Sequence, residues 1–217
     1  MANNVKISTP SSASDILLKD EQEVIERIFN HIDNGTTDLG DTVWQVPVEH
    51  YRSQQRFADE IALLRRLPVP FCPSAALPKS GSYLARKAAG TPLLIVRDAA
   101  GVVHAFINAC RHRGMQVATG SGCESAFSCP YHGWTYNLDG KIKGIPGRAG
   151  FPDLDPEEHG LVEVSAFEKG GIVYVAQVGS ISPEFKNSCF DYFAPEQEMF
   201  EEDGFIDQAN WKLLNET

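Results

Sequence analysis

The sequence predicts a mainly β chain, α+β overall, in which a helical arm leads into an antiparallel β-sheet domain. Two observations carry this. Between residues 75 and 178, short β-branched or aromatic stretches such as "GSYLARKA", "TPLLIVRD" and "VVHAFIN" alternate with Gly, Pro and Asp turn signals. Ahead of them, apolar residues recur at helical spacing.

Each element has a local reason. Val24, Ile25, Ile28, Phe29 and Ile32 trace one face of a helix, and Asn34-Gly35 supplies a left-handed stop. Phe57, Ile61 and Leu64 mark a second helix that ends ahead of Pro68. "LPVPFCP" reads as an extended connector. "RDAAGVV" and "NLDGKI" are hairpin turns, and "FEKGGIVYVAQ" joins two strands through Gly170-Gly171. Past Val178 the chain becomes loop-like. "APEQEMFEED" is expected to form a helical turn or two, and "NWKLLNET" to begin a further element. The expected organisation is therefore an arm and connector over 1–74, a β domain over 75–178, and the start of another domain over 179–217. The abrupt end at Thr217 leads us to expect a piece of something longer.

The 217 residues, 42% of them hydrophobic, suffice for one medium core. A net charge of -10 argues against nucleic acid or an anionic membrane as partner. The N-terminus lacks a basic stretch followed by an apolar one, and no apolar run reaches the roughly 20 residues of a membrane helix. A cytoplasmic protein is expected. Cys72, Cys110, Cys123, Cys129 and Cys189 are odd in number and widely spread, so metal ligation is more plausible than a disulfide framework.

Two short strings concentrate the ligand chemistry. "CRHRG" holds Cys110 and His112; "CPYHGW" holds Cys129 and His132, with sixteen residues between His112 and Cys129. Thiolate and neutral imidazole are common ligands of zinc and of iron–sulfur centres, and each string runs from a strand into a Gly-containing turn. Three readings compete: a structural zinc site, a [2Fe–2S] centre with two cysteines on one iron and two histidines on the other, or coincidence. Structural zinc usually pairs like with like, Cys with Cys and His with His. Here each pair is mixed, which suits a cluster in which each loop sends one ligand to each iron.

"CRHRG" and "CPYHGWTY" resemble the motifs of Rieske non-haem iron oxygenases, in particular the N-terminal Rieske region of ring-hydroxylating α subunits. The resemblance extends to "VWQVPVEHYRSQQRFADEIALLRRLPVPFCPSAALPKSGSY", "PLLIVRDAAGVVHAFINACRHRG" and "NWKLLNET", nearly the whole chain. It implies a Rieske-type β domain with two cluster-binding loops and a [2Fe–2S] cluster held by Cys110, His112, Cys129 and His132. Respiratory-chain Rieske proteins carry an extra disulfide-linked cysteine in each loop. Met115 and Tyr131 stand there instead, which favours the lower-potential oxygenase or ferredoxin type.

The resemblance further implies a mononuclear non-haem Fe(II), held by two histidines and a carboxylate, in a domain that opens at "NWKLLNET". No histidine lies beyond His159. The chain is therefore expected to carry electrons, with no catalytic residue of its own. Its expected partners are a ferredoxin or flavin-dependent reductase as donor and further copies in a trimer. A stand-alone Rieske ferredoxin remains the alternative, against which the long arm and the tail argue.

Around the ligands, Gly114 and Gly133 are expected to let backbone N–H groups reach the sulfurs, or simply to turn the chain. Arg111 and Arg113 are expected to balance the charge of reduction or to guide an acidic donor. Trp134 is expected to shield the centre. Cys72 and Cys189 read as buried thiols, and Cys123 as a rival ligand without a second donor. His31, His50, His104 and His159 are not expected to bind iron.

Overall fold

The structure, a computed structural model, describes residues 21–39, 42–43, 45–194, 196–199 and 210–215. It divides into two compact units, 1–46 and 47–217. In the first, α1 (Glu21–Asn34) forms where the apolar spacing places a helix. Past Gly35 the chain folds back: the His31 ring meets Thr36 Oγ1 and Asp38 Oδ1, each at 2.9 Å, and Arg27 pairs with the same carboxylate.

The second unit opens with α2 (Glu49–Arg52) and α3 (Gln54–Arg66). Ser53 starts α3 as an N-cap, its hydroxyl accepting from the Arg56 N–H. Among the described residues ten strands follow: β1 (Val69–Pro73), β2 (Ser82–Ala88), β3 (Thr91–Arg97), β4 (Val103–Ile107), β5 (Gly120–Cys123), β6 (Phe127–Ser128), β7 (Thr135–Tyr136), β8 (Ile142–Gly144), β9 (Glu163–Lys169) and β10 (Ile172–Ala176). Seven form an antiparallel sheet in the order β1-β10-β9-β4-β3-β2-β5, and β6-β7-β8 form a second, small one. All three expected hairpin turns are present, between β3 and β4, β7 and β8, and β9 and β10.

The centre of the sheet explains the densest apolar run. Leu93, Leu94, Ile95 and Val96 of β3 are all fully buried. Alternate residues of a strand face opposite sides, so Leu93 and Ile95 enter a core with Phe71, Leu84 and Val173, while Leu94 and Val96 enter another with Phe106, Trp134 and Tyr136. Each such side chain contributes about 1.5–3 kcal/mol on burial. That second core is the one that also holds Cys110 and Cys129.

Two expectations need correction. The connector "LPVPFCP" is strand β1, paired with β10, so the sheet begins before the expected boundary at 75. Its prolines fit because β1 lies at the sheet edge and is irregular between Pro70 and Cys72. The stretch past Val178 is not all loop: α4 (Pro183–Ser188) forms behind a Ser182 cap with proline in its first turn. Of "APEQEMFEED", Pro195 and residues 200–203 lie outside the described residues, and Gln197 closes a single turn onto Ala194. The final element is α5 (Trp211–Asn215).

Candidate metal centre

Everything between β4 and β9 is an excursion from two strands that are sheet neighbours. Within it, "CRHRG" follows β4, and "CPYHGW" is the turn between β6 and β7. The two loops close in the same way. The Cys110 N–H donates to Met115 O (2.7 Å) and the Gly114 N–H to Cys110 O (2.8 Å); the Cys129 N–H donates to Trp134 O (2.8 Å) and the Gly133 N–H to Cys129 O (2.9 Å). Gly114 (φ 75°) and Gly133 (φ 71°) both occupy the left-handed region that glycine tolerates without strain. Their N–H groups are thus engaged in closing the loops. The turn role expected of both glycines is seen in the loop closures.

Identical closure gives the two loops matching polarity. Cys110 and Cys129 point into the core, 3% and 4% exposed. His112 and His132 stand outward, half-buried and exposed, with ring centres 4.7 Å apart. Loss of hydration, the neighbouring His132 and Arg113 together push the His112 ring below its ordinary pKa, which favours the neutral imidazole that metal ligation needs. Two buried sulfurs behind two paired imidazoles match the donor set of a mixed-ligand [2Fe–2S] cluster.

Trp134, 2% exposed, stacks on His112 at 5.2 Å and 8°. Phe151 stands edge-on to both rings. It comes from a third loop pinned by Arg148, whose guanidinium donates to Phe151 O and Leu154 O. The side chains of Arg111 and Arg113 are exposed, as is Tyr131, whose ring lies 3.8 Å from that of His132.

Sequence reasoning missed three residues. Tyr136 is fully buried; its hydroxyl accepts from the Arg111 N–H (2.9 Å) and lies 3.2 Å from Cys110 Sγ. With the oxygen already accepting, its proton is free to point at the sulfur. Burial, then the Cys110 sulfur, raises the phenol pKa, so the group remains a donor. Asn108 is 2% exposed and closes the first loop like a piece of sheet: its Oδ1 accepts from Val117 N, and its Nδ2 donates to Ala118 O. Phe151 is the third. "CPYHGWTY" contained the tyrosine; nothing local marked the other two.

The other candidates sit elsewhere. Cys123 is exposed on β5 with its thiol directed at Ser80 O, Cys72 is a buried residue of β1, and Cys189 is half-buried with its thiol on Phe185 O. His104 lies between Asp98 and Glu163. His50 and His159 are half-buried.

Residues 68–167 match the family model of the Rieske [2Fe-2S] domain, so this chain carries such a domain, and its homologues are Rieske oxygenase subunits. The glycine betaine monooxygenase oxygenase subunit of Chromohalobacter salexigens is 36% identical over 147 residues, 64% of this chain and 33% of that protein. A solved quaternary ammonium Rieske monooxygenase, described in terms of carnitine oxidation and inter-subunit electron transfer, superposes with a TM-score of 0.64 at 28% identity, covering 70% of this chain and 42% of its own. Naphthalene 1,2-dioxygenase from Rhodococcus sp. superposes with a TM-score of 0.60 at 25% identity, covering 75% and 37%. The chain spans about a third of the length of the curated relatives it matches.

Proposed function

We propose that Cys110 and Cys129 hold one iron and His112 and His132 the other of a Rieske [2Fe–2S] cluster that serves a Rieske oxygenase. When bound, the cluster supplies a one-electron carrier. The matching closure of the two loops, with thiols inward and imidazoles outward, carries the reading. Cys110 and Cys129 fix the buried side, Tyr136 directs a proton at one sulfur, and Trp134 and Phe151 keep water from His112. His132, at the surface, is the point of closest approach for a partner.

In this reading the electron would come from a ferredoxin or flavin-dependent reductase and would be destined for a mononuclear Fe(II) in the neighbouring subunit of a trimer. The inter-subunit transfer described for the quaternary ammonium enzyme supports that route. Exposed Arg111 and Arg113 beside the imidazoles favour an acidic donor, the chain's overall negative charge notwithstanding. The substrate class is a small quaternary ammonium compound, hydroxylated or demethylated, because relatives of that kind share 36% and 28% identity against 25% for the naphthalene enzyme. Five cysteines, none of them in a disulfide among the described residues, support a cytoplasmic setting.

Iron, sulfide and zinc analysis with electron paramagnetic resonance after dithionite reduction tests the centre. Two irons per chain and the signal of a reduced mixed-ligand cluster are expected; stoichiometric zinc without that signal refutes it. Oxidation of glycine betaine rather than naphthalene by the assembled oxygenase tests the substrate class.

A further inference from the structure

The two ligand loops close through the same bonds, so their residues pair one to one. Cys110 and Cys129 begin the loops, each donating its N–H to the carbonyl five residues on, and Gly114 and Gly133 donate back to the cysteine carbonyls. Arg111, His112 and Arg113 therefore stand where Pro130, Tyr131 and His132 stand in the other loop. The imidazoles are offset by one residue. His112 shares its loop position with Tyr131, and His132 shares its position with Arg113.

That offset gives the two rings different surroundings. Trp134 stacks on His112 at 5.2 Å and Phe151 stands edge-on to it at 5.9 Å, so this ring is closed in. His132 is exposed, and the rings against it among the described residues are those of His112 and Tyr131. Tyr131 lies on it at 3.8 Å and 32°, and is itself 54% exposed. Arg111, Arg113 and Met115 are exposed in the companion loop. Tyrosine, methionine and arginine are the residue types that interfaces concentrate. Neither guanidinium meets a carboxylate among the described residues. The chain as a whole has 29 acidic residues to 19 basic ones, yet the span 110–151 has five basic residues to two acidic. Positive charge is thus gathered on the segment that carries the imidazoles.

We propose that Tyr131 is the footing of the electron donor: a small acidic redox protein lays an apolar patch on the Tyr131 ring, is held in register by Arg111 and Arg113, and delivers its electron at His132 rather than at His112. The inference rests on the reading above, in which both imidazoles hold the outer iron of a one-electron cluster. One electron leaves the donor and enters the cluster; no bond forms or breaks and no proton moves. Tyr131 positions the partner, and the closed surroundings of His112 keep the second imidazole out of its reach.

The test uses the cluster-loaded protein with an acidic plant-type [2Fe–2S] ferredoxin as probe, and photoreduced deazaflavin as a small reductant that needs no docking. Plant-type centres lie near about −400 mV, so transfer to a Rieske cluster runs downhill. Calorimetric binding of the oxidised ferredoxin should weaken about tenfold in Tyr131→Ala and stay near wild type in Tyr131→Phe. Binding to wild type should also weaken with added salt. Stopped-flow reduction by limiting ferredoxin should slow in parallel. Reduction by deazaflavin, the resonance spectrum and the midpoint potential should be the same in all three proteins. Absence of ferredoxin binding to wild type, wild-type binding by Tyr131→Ala, equal losses in both variants, or equally slowed reduction by deazaflavin overturns the proposal. So does a Tyr131→Ala protein that accepts electrons normally but is reoxidised slowly in the assembled oxygenase, since the footing then serves the neighbouring subunit. A wild type without the resonance signal of a reduced mixed-ligand cluster overturns the functional reading itself, and this proposal with it.

Discussion

The Tyr136 hydroxyl lies 3.2 Å from the sulfur of Cys110, across 26 residues of chain, with its oxygen already accepting from Arg111 N. A hydrogen bond to a ligand sulfur favours the more electron-rich, reduced state. Tyr136→Phe keeps the ring and removes that bond, so the midpoint potential should fall by on the order of 50–100 mV. Protein-film voltammetry measures it; an unchanged potential would mean the proton points elsewhere.

Asn108 supports the first ligand loop from beneath. In Asn108→Ala the Val117 N–H and the Ala118 carbonyl lose their partners in a buried site. Destabilisation of about 1–3 kcal/mol is expected. Urea unfolding of the cluster-loaded protein should show it as a lower midpoint at unchanged slope.

Exchange of one imidazole for a thiolate should shift the centre towards all-cysteine behaviour. His112→Cys is expected either to lose the cluster or to lower its potential by on the order of hundreds of mV, the gap between Rieske and plant-type centres. A wild-type potential in this variant would show that His112 is not a ligand.

Arg97 and Glu168 form a bidentate pair (2.9 and 2.7 Å) that joins β3 to β9. Burial raises the Glu168 pKa, but its hydrogen bonds with Arg97 and the guanidinium charge outweigh it, and the carboxyl ends below its usual range. A depressed carboxylate stabilises the fold above its unfolded value and ceases to do so as pH falls through the folded one. Glu168→Gln should therefore cost about 1–3 kcal/mol at pH 7 and progressively less below about pH 4.5. Denaturation midpoints at pH 7 and 3.5 decide it; an equal difference at both would place the stabilisation outside the ion pair.

What could be read from the sequence was local. Cys110 with His112 and Cys129 with His132 stand out as candidate ligands because each loop is short enough for the spacing to be visible, and the hairpin turns carry their own Asp-Gly and Gly-Gly signals. Asn108 gave no such sign, since an asparagine after a strand is ordinary until its partners at 117 and 118 are brought beside it. Phe151 depends on a third loop whose course is set by Arg148. Strand β1 was hidden by prolines that only an edge position tolerates, and α4 was overlooked although "SPEF" is a recognisable helix start.

The excursion between β4 and β9 leaves and re-enters the sheet at one point, where the Ile107 N–H meets Val162 O at 2.8 Å. Yet β5, inside the excursion, returns to pair with β2 at the far edge. The ligand-bearing segment is therefore laced through its host and cannot peel away without stripping an edge strand. Cys110 and Cys129 share one buried core with Leu94, Val96 and Phe106, so the sulfurs and the sheet that carries them are packed as one unit.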